Sequence, residues 1–128
     1  PVSVRAALET VTARRGPGRL VVVLGDMLEL GALADEAHRE VGRLVAAVGA
    51  DELVGVGPRA RLAVEAARVA GLGEARHVMT FEDTAAHLLK RLVPGDVVLV
   101  KGSRGMRLER VVDALLARMP PPEPSART

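Results

Sequence analysis

The chain has 128 residues, 48% of them apolar, with a single aromatic, Phe81; this suits one domain whose core is Val, Leu and Ala, as when helices lie on a Val-rich sheet. A net charge of +2 from 18 basic and 16 acidic residues, without a dense basic run or interleaved aromatics, argues against a nucleic-acid partner. The lack of Cys excludes disulfides and thiolate metal sites, and no apolar run nears the roughly 20 residues that span a bilayer, so no membrane partner and a cytoplasmic setting are expected.

The chain opens on Pro1 rather than Met, as expected of a piece of a longer polypeptide. Val4, Ala7, Leu8 and Val11 are spaced as one helix face, with Ser3 as cap and Gly16-Pro17-Gly18 as terminator. Leu20–Leu24 is uninterruptedly apolar, the pattern of a strand buried on both faces. It runs into the glycine-bounded loop Gly25-Asp26-Met27-Leu28-Glu29-Leu30-Gly31. A helix follows with Ala37, Val41, Leu44, Val45 and Val48 inward, then a short strand Leu53–Val56 and a helix opened by Pro58.

His77-Val78-Met79 reads as a weaker strand, and Thr80 with Asp83 resembles a capping pair ahead of the helix carrying Phe81, Ala85, Leu88, Leu89 and Leu92. After the turn Pro94-Gly95-Asp96 comes the most strand-like segment, Val97–Val100, which delivers Lys101-Gly102-Ser103-Arg104-Gly105 to a last helix spaced by Leu108, Val111, Val112, Leu115, Leu116 and Met119. The domain therefore covers 1–119, and the Pro-rich stretch 120–128 is expected to be a disordered tail. No internal repeat is present.

Strands alternating with helices predict an α/β fold: a Rossmann-like three-layer sandwich, with a mostly parallel sheet, right-handed crossovers and helices on both faces. With the last strand returning beside the first, the order is 3-2-1-4. The switch point then falls between the first and fourth strands, where such sheets bind ligands. The two unusual loops, Gly25–Gly31 and Lys101–Gly105, are those that follow these two strands.

Their chemistry has alternatives. Asp26 and Glu29 suit a cation or amine, or equally serve as caps and dipole partners of a helix. Lys101 and Arg104 suit a carboxylate or phosphate, or a surface salt bridge with Asp26 or Glu109. Only Lys90 and Lys101 are Lys among the 18 basic residues, so Lys101 places a compact point charge at this strand end. Ser103 can donate to an anion, cap the last helix, or both. His38 falls one turn into the second helix near the crevice mouth, although a lone helical His is commonly a surface residue; His77 and His87 read as bystanders. No metal-ligand spacing, Walker A run, GxGxxG or GxSxG pattern appears.

Val22–Gly31, then His38-Arg39-Glu40-Val41-Gly42, then Gly95–Met106 through Glu109 resemble the C-terminal domain of the Mur ligases. Within that family they are most similar to the branch that joins D-alanyl-D-alanine to UDP-N-acetylmuramoyl-tripeptide. The resemblance runs from Pro1 to Ala117, and the first and last motifs are the most specific. It implies one domain of an ATP-dependent amide-bond ligase of peptidoglycan synthesis, working as a monomer. ATP and Mg2+ would be bound mainly by a central ATPase domain of the same polypeptide, and no cofactor by this domain, which would bind the dipeptide and close over the central domain. Substrate binding would then fall to Asp26, Met27, Glu29, Lys101, Ser103 and Arg104, with His38 as a contact in the closed site and no catalytic residue assigned. Non-enzymatic alternatives are a phosphoryl-receiver-like signalling domain, testable by labelling of Asp26, and a nucleotide-sensing Rossmann-like module, testable by dinucleotide binding.

Overall fold

The computed structural model describes residues 2–14, 16–27 and 32–102. In chain order they form α1 (Val2–Arg14), β1 (Leu20–Gly25), α2 (Ala34–Ala47), β2 (Glu52–Val56), α3 (Ala60–Val69), β3 (Ala75–Val78), α4 (Phe81–Arg91) and β4 (Val97–Lys101). The strands make one sheet in the order β3-β2-β1-β4, with every pairing parallel. The expected spatial order and α/β architecture are thus observed. The last helix and the stretch 120–128 lie outside the described residues.

Strand parity divides the core. Leu20, Val22 and Leu24 of β1 point to one face, where Val4 and Leu8 of α1, Val41 and Val45 of α2, and Ala63, Val64 and Ala67 of α3 cover them. Val21 and Val23 point to the other, against Leu88, Phe81 and Leu89 of α4. Helices therefore lie on both sheet faces, and the apolar run of β1 is buried throughout. With side chains this small, the layers approach closely. A Cβ added at Gly42 of α2 would stand 2.1 Å from the carbonyl oxygen of Ala63 in α3, so glycine lets the two helix backbones meet.

Some boundaries differ from the sequence expectation. β3 starts at Ala75, two residues before His77, because its ladder to β2 pairs Leu53 with Ala75 and Val56 with Val78; Met79 is left exposed. Pro58 and Arg59 form a turn, and α3 begins only at Ala60. The cap of α4 is as expected: Thr80 Oγ1 accepts from the Asp83 amide at 3.1 Å. β4 is half-buried rather than fully enclosed among the described residues. No helix among them is long and apolar enough to cross a membrane.

Candidate functional site

All four strands run the same way, so their carboxyl ends share one edge of the sheet. The register sets Leu24 beside Lys101 and Gly25 beside Val56. Asp26 and Met27 thus emerge from β1 next to the end of β4, at the point where chain order reverses in the sheet. The described starts of the two singular loops, Asp26–Met27 and Lys101–Gly102, follow these adjacent strand ends.

Asp26 is buried, and its Oδ1 accepts the Ala60 amide at 2.8 Å. The Ala60 amide belongs to the first turn of α3, where backbone N–H groups lack helical partners and the dipole favours a negative charge. One carboxylate oxygen is therefore engaged by α3, a helix that starts 34 residues away. Lys101, half-buried on β4, forms no ion pair with Asp26.

Met27 is also buried, its side chain in the core beneath α1, α2 and α3. Its amide donates to His38 Nε2 at 3.0 Å, and His38 Nδ1 lies 2.5 Å from the Ala34 carbonyl. An Nε2 that accepts must carry a lone pair, so the proton is on Nδ1, which donates to Ala34. His38 is fully buried, which corrects the expectation of a surface histidine. The buried stripe of α2 is Ala34, His38, Val41, Gly42 and Val45, centred nearer His38 and Gly42 than an apolar ranking suggests. Glu29, Ser103 and Arg104 lie outside the described residues.

Sequence reasoning passed over two features. Arg59 is exposed in the turn that immediately precedes Ala60, on the same edge as Asp26. At the opposite, amino edge, Glu52 is almost wholly buried between His87 Nε2 at 2.5 Å and Arg91 Nε at 3.1 Å. His87 and Arg91 are one helical turn apart on α4, so an acid at the head of an apolar strand and an i,i+4 pair of hydrogen-bond donors were the available signal. His87 is no bystander, and His77 holds the Gly57 carbonyl at 2.7 Å. Beside this cluster, Arg19 and Asp96 pair at 2.8 Å where β1 and β4 begin. The Arg19 hydrogen bond, together with the Val93 and Arg19 backbone amides and against the cost of burial, holds the Asp96 carboxyl below its ordinary 3.8. The Glu52 and Asp96 clusters stay at the amino edge, whereas the His77–Gly57 contact lies just past the carboxyl end of β2.

Among the described residues no three His, Cys, Asp or Glu group together as a metal site, and the sequence has no phosphate-cradling GxxxxGK[ST] run.

A parallel α/β domain with helices on both faces, and with Asp26, Met27 and Lys101 at the strand ends beside its switch point, has Rossmann-like architecture. A family model described as "Mur ligase, glutamate ligase domain" matches residues 1–104. The chain belongs to the Mur ligase family. The UDP-N-acetylmuramoyl-tripeptide–D-alanyl-D-alanine ligase of Bacillus subtilis (strain 168) is 32% identical over 117 residues, which are 91% of this chain and 26% of that protein. The ligase of the same description from Escherichia coli (strain K12) is 38% identical over 104 residues, 77% of this chain and 21% of its own length. A crystal structure of MurF from Acinetobacter baumannii superposes with a TM-score of 0.78 at 29% identity, covering 92% of this chain and 26% of that one. MurF from Thermotoga maritima in complex with ADP gives 0.66 at 29% identity, over 87% and 25%. The chain thus spans about a quarter of the length of the relatives it matches.

Proposed function

We propose that this chain is the C-terminal, acceptor-binding domain of a cytoplasmic, monomeric, ATP-dependent ligase that joins D-alanyl-D-alanine to UDP-N-acetylmuramoyl-tripeptide. The observation that carries this reading is that β1 and β4, the strands leading into Gly25–Gly31 and Lys101–Gly105, lie side by side at the switch point, in a chain whose relatives bear that ligase's description. ATP and Mg2+ belong on this reading to a central domain of the same polypeptide. A receiver-like function loses its support, because the acid it needs, Asp26, is buried and bonded to α3.

The acceptor dipeptide is a zwitterion. Its carboxylate requires cations or a helix N-terminus, for which Lys101, Ser103 and Arg104 are the candidates. Its ammonium must be oriented and lose a proton before the amine attacks the activated tripeptide carboxyl. The C–N bond then forms and phosphate leaves. Asp26 and Glu29 are the candidate acids for that orienting role, and Asp26 spends one oxygen on Ala60. Met27, buried in the core, contributes its backbone rather than its side chain. Closure of the domain would exclude water that otherwise hydrolyses the activated carboxyl.

In the complete ligase, Lys101→Ala or Arg104→Ala should raise KM for the dipeptide by about tenfold or more, the worth of one charge-assisted hydrogen bond. Unchanged kinetics in both variants would sink the anion-site assignment. The chain by itself should release no phosphate when given ATP and both substrates.

A further inference from the structure

The residues that start the loop after β1 are tied to two different helices. Asp26 fastens it through a side-chain oxygen to the Ala60 amide of α3, and Met27 through its own amide to His38 on α2. Those helices are in turn locked together where Gly42 meets Ala63. Two consecutive residues, Asp26 and Met27, are thus held by two packed helices where the chain leaves β1.

A fully buried imidazole needs a reason. An apolar side chain would fill the space on α2 without burying two polar nitrogens, each of which must then find a partner. His38 satisfies both, one with the Ala34 carbonyl of its own helix and one with the Met27 amide. The first bond orients the ring and fixes the tautomer, and the second uses the acceptor so presented on a loop amide that lacks a ladder partner. The chain of bonds therefore runs from the α2 backbone, through the ring, to the base of the loop.

We infer that His38 is a positioning residue for acceptor binding: in its Nδ1–H form it fixes the Met27 amide, and with it the path of the chain at Asp26 and Met27 as it leaves β1, without touching the dipeptide. This rests on the acceptor-binding reading above and replaces the expectation that His38 meets the ligand in the closed site. It is a role for the neutral ring alone, since a proton on Nε2 would turn a donor toward the Met27 donor.

Two measurements on the 128-residue chain and one on the complete ligase test it. A long-range 1H–15N spectrum of the chain should show His38 as the Nδ1–H tautomer. Hydrogen exchange should show the Met27 amide protected in the wild-type chain and in His38→Gln, whose side-chain carbonyl takes the Nε2 place. His38→Asn, which reaches only the Nδ1 place, and His38→Leu should each lose that protection by about tenfold. In the ligase, Asn and Leu should raise the dipeptide KM by about tenfold, with KM for the nucleotide-linked tripeptide unchanged, and Gln should restore it. An Nε2–H tautomer, or a dipeptide KM that Leu and Asn leave unmoved while the melting temperature falls, overturns the positioning role. A wild-type ligase without dipeptide-dependent turnover instead refutes the acceptor-binding reading, and with it the link to the dipeptide, while the exchange data still decide whether His38 holds the loop.

Discussion

Gly42→Ala probes the contact on which the geometry of the site depends. The added Cβ would stand 2.1 Å from the Ala63 carbonyl oxygen, 2.9 Å from its carbon and 3.0 Å from its Cα. All three are backbone atoms of α3, so no side chain can swing aside. Restoring an ordinary separation requires the helices to part by roughly 1 Å, a gap that forfeits a quarter to a half of the dispersion energy of the contacts across it. Val41, Val45, Ala63, Val64 and Ala67 all belong to the core cluster that spans this seam. Overpacking at such a site costs about 3 kcal/mol, the upper part of the usual range. Alanine returns about 1 kcal/mol through its better helix propensity. The net loss is about 2 kcal/mol, a fall in Tm of about 8 °C for a chain of this size. Urea and thermal unfolding followed by far-UV circular dichroism measure it. Gly73→Ala is the control: an added Cβ there meets nothing within 4 Å, so its effect should lie between nil and a gain of about 1 kcal/mol. A Gly42→Ala chain as stable as wild type would refute the close approach of α2 and α3.

The amino edge of the sheet gives two further expectations. Because the Asp96 carboxyl is held below 3.8, chiefly by its hydrogen bond from Arg19, its contribution is complete above about pH 4. It is lost as pH falls through the lower folded value. Asp96→Asn should be less stable at neutral pH yet show a shallower fall in stability in acid; parallel urea-denaturation profiles across that range would contradict this. His87→Ala removes one of two partners from the buried Glu52 carboxylate and should cost about 2 kcal/mol, moderated because Arg91 remains. Unfolding midpoints equal to wild type would show that Glu52 does not depend on His87.

The sheet order was legible because it follows from rules of chain connectivity. Apolar runs at Leu20–Leu24 and Val97–Val100 alternate with helical spacing, and right-handed crossovers leave few arrangements for them. That β1 and β4, the strands leading into the two loops, end side by side is a consequence of that order. What joins Asp26 to Ala60 was not legible, since no local pattern relates an acid after β1 to an amide 34 residues on. Asp26 therefore stood open between ligand and helix partner until its contacts were known. His38 failed for a different reason. Ala34, His38, Val41, Gly42 and Val45 do follow helical spacing, but a polarity ranking counts neither His nor Gly as core. Such a ranking draws the stripe through Ala37, Val41, Leu44, Val45 and Val48, of which Val41 and Val45 are buried and the other three only partly so. The Glu52–His87–Arg91 cluster escaped because its members are 35 and 39 residues apart in sequence.

The stretch His38-Arg39-Glu40-Val41-Gly42, one of those carrying the family resemblance, has a mechanical explanation. Arg39 and Glu40 lie toward solvent, where Arg39 pairs with Glu36 and Glu40 with Arg43; exposed pairs of this kind contribute little. The other three residues face inward and do separate work. His38 accepts the loop amide, Val41 fills the core under β1, and Gly42 admits the backbone of α3. Because α3 in turn presents Ala60 to Asp26, moving it away at Gly42 would lengthen the Asp26 bond as well. The two anchors of the loop are therefore not independent. A substitution at Gly42, which is not among the ligand contacts proposed above, should raise exchange at both the Ala60 and Met27 amides, whereas His38→Leu should affect Met27 first and Ala60 less. That asymmetry separates a hinged pair of helices from two unrelated hydrogen bonds.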